Sequence, residues 1–368
     1  MDKSGNEMFY IDENGEKSDS LIHEEILAGG EYSLELEKEL KAIAMECGLK
    51  AEEAELIYHC EDVMPEKKKA IHLPPDCPRI RGLKLHKLQP EIKQLIEDIA
   101  DFVKDDKDLD LQIRDGYLNV YYKGGNLWKI SELARSRGAR FHFDEKYFLR
   151  GKDAPVEKPW LSDESDDFHR WKDRLKDLKQ VMDGWFKIHP KSEREIQQNI
   201  CSYHRNNENS PWLLIDIEYA AWLYDSTKGR RLCRFDMVAV ERKNIISGQP
   251  LVLHLVELKQ GNRALGGLSG IEKHAEDFRQ FLTEDDNKKA RDAFTESMRN
   301  IIREKSLLGL LPEVAIDAGN NIQLKVSFLL KECKVGDKEK VEIEKLEKLL
   351  AGHYTEQLFV DYESWIQS

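Results

Sequence analysis

The chain has 368 residues, 40% of them hydrophobic and 35% charged, with a formal net charge of −13. This length is enough for two domains with full cores, while no apolar run is long enough to span a bilayer. The six cysteines form no CxxC pair, which argues against a disulfide framework or a zinc ribbon. The N-terminus is acidic and polar and lacks an apolar signal core, so we expect a cytoplasmic protein.

The first 150 residues divide into a polar start and a module of mixed structure. Residues 1–30 show no periodicity and are expected to be flexible, whereas residues 33–60 have the spacing of two helices. An amphipathic helix is predicted after Pro90. Four short β runs then lie between residues 108 and 149, with turn residues between them. Residues 31–150 are therefore predicted to form a small α+β module.

The role of this N-terminal module stays open at the sequence level. Its strands are rich in aromatic residues, which would suit either the stacking of bases or a packed core. Dimerisation or the sensing of a ligand would fit equally well. The aromatic residues are Tyr117, Tyr121, Tyr122, Trp128, Phe141 and Phe143.

The rest of the chain alternates helices and strands. A linker over residues 151–163 and a long helix from about Ser165 to Phe186 are predicted first, which together occupy residues 151–186. Residues 187–368 are predicted to form one α/β domain in the order helix, three strands, helix, strand. The helices are predicted at 192–205 and 268–282, and the strands at 212–224, 231–240, 250–259 and 322–330. A charged helix near 338–351 and a short strand near 358–360 follow.

The third of these strands carries the strongest chemical signal. Residues 251–256 are almost uninterruptedly apolar, which is typical of a central strand covered on both faces. The strand ends in Glu257, Leu258 and Lys259, and alternation places Glu257 and Lys259 on one face. Charges at the end of a buried strand are costly unless they are paired or bind something. Asp236 lies on the preceding strand, about 5 Å away, so Asp236 and Glu257 could share a Mg²⁺ or Mn²⁺ ion.

The tripeptide itself carries no information without this context. The chain contains the same three residue types at Glu39-Leu40-Lys41, and a near copy at Glu91-Ile92-Lys93. Both copies lie in helical patterns, where residues two apart point in different directions. Only the copy at the end of a buried strand, beside an aspartate on the neighbouring strand, predicts a site.

With Asp236 on one strand and Glu257-Leu258-Lys259 ending the next, residues 187–334 resemble the PD-(D/E)xK nuclease superfamily. The resemblance implies an α/β fold with a restriction-endonuclease-like αβββαβ core and a mixed sheet. It also implies that Asp236, Glu257 and the Leu258 carbonyl hold Mg²⁺, for which Mn²⁺ would substitute. Lys259 would position the attacking water or stabilise the charge that develops on the phosphate. Phe235 stands where the superfamily name has proline.

Many members of this superfamily carry a further glutamate on the helix that precedes the sheet. Glu193 and Glu195 are the two candidates in this chain. Glu193 lies in line with the buried face of the helix, whereas Glu195 does not. Ser192 and Glu195 also fit a capping box, which gives Glu195 a structural task. We therefore predict Glu193 as a further catalytic and metal-binding residue, and Gln197, one turn further along the same face, as a substrate-binding residue.

Four basic residues are candidates for contacts with a substrate. Lys273 and His274 lie near the start of the helix after the third strand, and Lys273 is the predicted phosphate contact. Arg230 and Arg231 belong to a basic turn that could touch a nucleic-acid backbone. A solvated charged hairpin explains the same turn as well. Glu218 could approach the metal, although a cross-strand pair with an arginine is the simpler interpretation.

These features predict a metal-dependent nuclease that hydrolyses phosphodiester bonds, with DNA the favoured substrate. Residues 187–334 carry a net charge of +2 within the acidic chain, which permits a nucleic-acid partner. A role in defence against foreign DNA rests on analogy with the superfamily. An RNA nuclease, a binding or sensing protein that keeps the fold, and a structural ion pair at Glu257 and Lys259 are the alternatives. Whether the chain forms a homodimer is left open, and no membrane partner is expected.

Overall fold

The computed structural model describes residues 10–11, 17–18, 79–133, 139–148, 167–190, 192–225, 229–246, 251–262, 270–313, 322–333, 336–355 and 357–367. The predictions for residues 33–60, for the linker at 151–163 and for almost all of residues 1–30 lie outside these ranges. Strands β1 (Tyr10–Ile11) and β2 (Lys17–Ser18) pair in antiparallel fashion. Among the described helices, none is long and apolar enough to cross a membrane.

In the described part of the N-terminal module, the predicted helix after Pro90 packs on an antiparallel sheet of four strands. The helix begins at a proline in its first turn, where the missing N–H costs nothing, and its apolar stripe is buried. The sheet has the order β3-β4-β5-β6. The elements are α1 (Pro90–Asp105), β3 (Leu109–Ile113), β4 (Leu118–Tyr122), β5 (Gly125–Ser131) and β6 (Arg140–His142).

The aromatic residues of this module form its core. Trp128 and Phe141 are buried, and their rings pack edge to face. Phe168 and Trp171, from the next segment of the chain, stack on Phe141. Tyr117 is half-buried, and the other five aromatic residues considered above are buried. A packed core, rather than a surface for stacking bases, therefore explains most of these aromatic residues.

The predicted long helix at 165–186 is instead two helices, α2 (Phe168–Asp173) and α3 (Leu175–Phe186). The break lies at Arg174, whose amide bonds to the Lys172 carbonyl and not to the residue four positions earlier. The break lets the two helices meet different partners. Trp171 of α2 stacks on Phe141, while Trp185 of α3 packs edge to face on Tyr147.

The C-terminal part contains a mixed five-stranded sheet with the order β11-β10-β9-β8-β7. Strands β7, β8 and β9 are antiparallel neighbours, whereas β10 runs parallel to both β9 and β11. The prediction of a chain of mixed α/β structure with a mixed sheet is thus confirmed, and the sheet of the N-terminal module is antiparallel. The strands are β7 (Trp212–Asp225), β8 (Gly229–Glu241), β9 (Leu251–Gln260), β10 (Ile322–Lys331) and β11 (Phe359–Asp361).

Helices cover both faces of this sheet. Ile196 and Ile200 of α4 pack on one face, against Val256 and Leu258 of β9, and the opposite face meets phenylalanines of α6 and α7. Burial of eight of the ten β9 residues confirms its central position. The helices are α4 (Ser192–Asn206), α5 (Arg242–Ile246), α6 (Ile271–Thr283), α7 (Lys288–Leu307), α8 (Asp337–Leu349) and α9 (Tyr362–Gln367). The 20-residue helix α7, between α6 and β10, was not predicted.

Buried charges join the module to the C-terminal sheet. Arg114, which follows β3, forms a buried ion pair with Asp216 of β7 and donates to the Ile217 carbonyl at 2.9 Å. Glu304 of α7 accepts hydrogen bonds from the Leu83 and Lys84 amides at 2.7 and 2.6 Å. Because each carboxylate or guanidinium would be costly to bury alone, these contacts fix the two parts against each other.

Candidate active site

Strands β8 and β9 separate at the predicted site. Their paired register extends from Val240 and Leu253 to Met237 and Val256, and ends there. Beyond this point β9 stays paired with β10, while the first half of β8 stays paired with β7. The two strands therefore form a fork. Asp236 and Glu257, the next residues along the register, lie on opposite sides of its opening.

Asp236 is held at this fork by a backbone amide. The Leu258 N–H donates a hydrogen bond of 2.8 Å to Oδ2 of Asp236, 22 residues away in the chain. A side-chain oxygen thus replaces the backbone acceptor that a continuous ladder would supply. The bond fixes the orientation of the carboxylate. In the described contacts, Leu258 meets Asp236 through its amide, and the predicted metal contact of its carbonyl stays a prediction.

Glu257 forms the centre of a compact polar cluster. Its Oε1 accepts from Lys259 Nζ at 2.7 Å, and both side chains are buried. His274 Nδ1, from α6, lies 3.1 Å from the same oxygen. The second oxygen, Oε2, is buried and has no hydrogen-bond partner among the described residues. A buried acceptor left in this state is costly, and a bound cation would satisfy it.

Glu193 reaches the same cluster from α4. Burial raises its pKa to about 7; the Lys259 charge opposes this shift, and the nearby Glu257 and Glu218 carboxylates add to it. Glu193 is half-buried, whereas Glu195 is exposed. The helix face that distinguished the two glutamates in the sequence therefore places Glu193, and not Glu195, beside Lys259 and Glu257.

The cluster carries more negative charge than its environment accommodates. Burial raises the pKa of Asp236 well above its usual range, and the Glu257 and Glu193 carboxylates raise it further. Burial likewise raises the pKa of Glu257, against the opposing charge of Lys259. For Lys259, burial lowers the pKa, but the Glu257 and Asp236 carboxylates outweigh burial and raise it. Each shift would be relieved by a cation near the carboxylates.

Glu218 and two arginines complete one side of the fork. Glu218 lies opposite Asp236 across β7 and β8, where its φ of 53° interrupts the regular strand. Its Oε2 lies 3.4 Å from Arg194 Nη2 and 3.6 Å from Arg234 Nη1. The cross-strand pair with an arginine is thus present, and the Glu218 charge also raises the pKa of Asp236.

Sequence reasoning did not select Arg194 or Arg234. Arg234 precedes Asp236 by two residues on the same strand, so alternation could have placed both at the fork. Arg194 had no comparable signal, because its contact with Glu218 crosses from α4 to β7. Arg194 of α4 and Arg234 of β8 thus meet at the Glu218 carboxylate.

The other basic residues that were predicted to contact a substrate have different environments. Arg231 forms an ion pair with Asp277 of α6 and donates to Gln280 Oε1 at 2.7 Å. This contact fixes α6 to β8, and the predicted contact of Arg231 with a substrate stays a prediction. The Arg230 side chain lies outside the described residues. Lys273 is exposed on α6, and its charge lowers the pKa of Glu257.

Gln197 lies one helical turn beyond Glu193, as predicted. Its side chain is buried, and its Oε1 has no hydrogen-bond partner in the part of the chain that the structure describes. The neighbouring Gln198, in contrast, donates to the Asp108 carbonyl and accepts from the Gly124 amide at 2.6 Å. Gln197 thus keeps an acceptor oxygen within the protein, while Gln198 attaches α4 to the N-terminal module.

The candidate ligands are carboxylates, which suit a hard divalent cation. Their positions do not form a complete coordination shell among the described residues. Within the described ranges, no three His, Cys, Asp or Glu side chains converge as a metal-binding group. The carboxylates of Asp236, Glu257 and Glu193 are nevertheless oxygen donors of the kind that Mg²⁺ prefers. The unpartnered Oε2 of Glu257 is the observation that favours the fit, since it is an acceptor in need of a cation.

Comparison with known proteins adds no further assignment. No protein-family model matches the chain, and no curated protein and no solved structure was found to be significantly similar to it. The candidate site therefore depends on its own geometry: a fork between two strands, three carboxylates whose pKa values are raised by burial, and one buried lysine.

Proposed function

We propose that this protein is a metal-dependent nuclease of the PD-(D/E)xK type, with Asp236, Glu257 and Lys259 at its centre. The observation that carries the proposal is the fork, where the Leu258 amide fixes Asp236 opposite a Glu257 oxygen that has no hydrogen-bond partner in the described structure. A structural ion pair between Glu257 and Lys259 explains their contact. It does not explain the additional half-buried carboxylate of Asp236 on the other strand.

The proposed mechanism assigns a task to each side chain. Asp236, Glu257 and Glu193 would hold Mg²⁺, which when bound supplies a Lewis acid and a water of lowered pKa. Lys259 keeps a positive charge at the opening, because the surrounding carboxylates raise its pKa. That charge would stabilise the negative charge that develops on the phosphoryl oxygens during hydrolysis. Arg194 and Arg234, at the edge of the fork, would orient the backbone of the nucleic acid.

The experiment is a cleavage screen of the full chain with plasmid, linear duplex, single-stranded DNA and RNA. Each substrate is tested with Mg²⁺, with Mn²⁺ and with EDTA. We expect DNA cleavage that EDTA abolishes, and a loss of at least about a hundredfold in Asp236→Asn and Lys259→Met. Lys348→Met, an exposed lysine of α8, serves as the control and should cleave normally. Equal cleavage by both site variants and the wild type would refute the proposal.

A second candidate is a nucleic-acid-binding or ligand-sensing protein that keeps this architecture without cleavage. Its supporting observation is that Lys259 and His274 already contact the same oxygen of Glu257. Calorimetry with Mn²⁺ separates the two candidates. The nuclease proposal expects binding that Asp236→Asn abolishes, whereas the binding protein needs no divalent cation at Asp236.

A further inference from the structure

A second polar site lies between the N-terminal module and the C-terminal sheet, away from the fork. It is a cavity of about 370 Å³, bounded by α1, β3, α4, β7, the start of α5 and the end of α7. Four cationic side chains line it, namely Lys104, Arg205, Arg242 and Lys305, and Asp110 is the one carboxylate among its lining residues. A surplus of positive charge in a chain with a net charge of −13 needs an explanation.

Arg205 gives the most direct sign that the cavity takes a ligand. Its side chain is only 14% exposed, and Nη2 donates to the Asp106 carbonyl at 3.3 Å. Its Nη1 lies 3.8 Å from Asp110, too far for a hydrogen bond. Both Nε and Nη1 are buried without a hydrogen-bond partner among the described residues. Buried guanidinium donors in this state are costly, so an acceptor is expected beside them.

Two further cations are held in place by neutral oxygens. Lys305 is 3% exposed and donates to Gln112 Oε1 and to the Ile215 carbonyl, each at 2.9 Å. Arg242 donates through Nε to the Ser210 carbonyl at 2.8 Å. Such bonds fix the positions of both cations without an ion pair among the described residues, while burial lowers the pKa of each. The arrangement is therefore preorganised for an anion.

We propose that this cavity binds a small phosphorylated molecule, no larger than a mononucleotide, with its phosphate against Arg205. The volume lies at the lower end of the range for small-molecule sites, which suits a ligand of this size. Four cations against one carboxylate match the charge of a phosphate better than the single charge of a carboxylate ligand. The phosphate accepts from Arg205 Nε and Nη1, which have no hydrogen-bond partner among the described residues.

The cavity shares helix α4 with the candidate active site. Glu193 lies in the first turn of α4, and Arg205 follows twelve residues later, about 18 Å along the helix axis. A ligand that orders Arg205 therefore contacts the same rigid element as Glu193. The binding proposal is independent of the proposed nuclease, because it is tested by affinity and not by cleavage.

The test is calorimetric titration of the full chain with inorganic phosphate, pyrophosphate, a nucleoside 5′-monophosphate, the matching nucleoside, and acetate. We expect the phosphorylated probes to bind and the nucleoside and acetate to bind at least tenfold more weakly. Arg205→Met should weaken the binding at least tenfold. Arg303→Met should leave it unchanged, since Arg303 is an exposed arginine of α7 two residues from Lys305.

A second variant tests the same cavity in case Arg205→Met does not fold. Lys104 is 38% exposed at the cavity, and its only described ion pair is with Asp101 on the same helix. Lys104→Met should therefore fold normally and weaken phosphate binding severalfold. The proposal is overturned if no phosphorylated probe binds, if the nucleoside binds as tightly as its monophosphate, or if both cavity variants bind like the wild type.

Discussion

The Leu258 amide donates its hydrogen bond to the side chain of Asp236, 2.8 Å away, at the point where β8 and β9 cease to pair. One contact thus performs two tasks. It satisfies an amide that has lost its place in the β8–β9 ladder, and it fixes a carboxylate whose pKa burial raises well above its usual range. Stability and metal binding should therefore respond differently to changes at Asp236.

The first prediction separates these two tasks. Asp236→Asn keeps a carbonyl oxygen for the Leu258 amide and removes a charge that Glu257 and Glu193 repel. In EDTA at pH 8, we expect its free energy of unfolding to be at least as high as that of the wild type. Asp236→Ala leaves the amide without an acceptor and should lower the free energy of unfolding by about 1–3 kcal/mol. Urea denaturation measures both, and equal stability of the two variants would contradict the assignment.

The second prediction concerns the buried pair of Lys259 and Glu257. Lys259→Met leaves the Glu257 carboxylate buried without its ion pair, so the free energy of unfolding should fall by about 3–5 kcal/mol at pH 8. Glu257→Gln in addition removes the uncompensated charge and should restore part of this loss. The measurement is urea unfolding of both single variants and the double variant. Strictly additive effects would show that the two side chains are not coupled.

The third prediction uses the pKa of Glu193, which burial raises from 4.5 to about 7. Because the folded protein favours the neutral acid, ionisation opposes folding increasingly as the pH rises from the unfolded pKa through 7. Glu193→Gln removes this penalty. In EDTA its stability relative to the wild type should increase by about 2 kcal/mol between pH 5 and pH 8, and Mg²⁺ should reduce that increase. A relative stability that does not change with pH would argue against the shifted pKa.

The fourth prediction concerns two buried histidines, His204 of α4 and His254 of β9. Burial lowers the pKa of both His204 and His254 to about 4. Their contribution to stability is present above pH 6.5 and is lost as the pH falls toward 4, because the unfolded chain takes up the protons first. Between pH 7 and pH 5 each should contribute a loss of about 2 kcal/mol.

Substitution isolates this effect from the carboxylates of the site, whose raised pKa values act in the opposite direction. The double variant His204→Asn, His254→Asn should lose less stability than the wild type between pH 7 and pH 5. The change His169→Asn, at an exposed histidine of α2, is the control and should keep the wild-type pH dependence. Thermal unfolding across this pH range gives the comparison. A double variant with the wild-type slope would disprove the assignment to these two histidines.

The elements that carry local signals were predicted well. Strand β9 is recognisable because its apolar run is long and ends abruptly in charge, and α1 because a proline and a clean stripe mark it. Helix α7 was missed, since charged residues are interspersed along it and its buried face ends in Glu304 and Lys305. Those two side chains are buried because of partners about 90 to 220 residues away, which no local pattern reveals.

The same limit applies to the site. Asp236, Glu257, Lys259 and Glu193 follow from strand alternation and one helix face, and the structure brings them together. The contact of His274 with Glu257 and the ion pair of Arg231 with Asp277 both depend on how α6 packs. Tertiary packing, which sequence spacing does not encode, decided both.

Gly124 touches α4 so closely that a Cβ atom there would lie 2.5 Å from the Arg194 backbone, and its φ of +75° already favours glycine. The turn of the N-terminal module thus presses on the first turn of the helix that carries Glu193. We therefore do not expect residues 187–334 to keep this structure when they are separated from the N-terminal module. A graft of that segment onto another scaffold would need the β4–β5 hairpin as well, and recombination between the two halves would have to preserve one glycine.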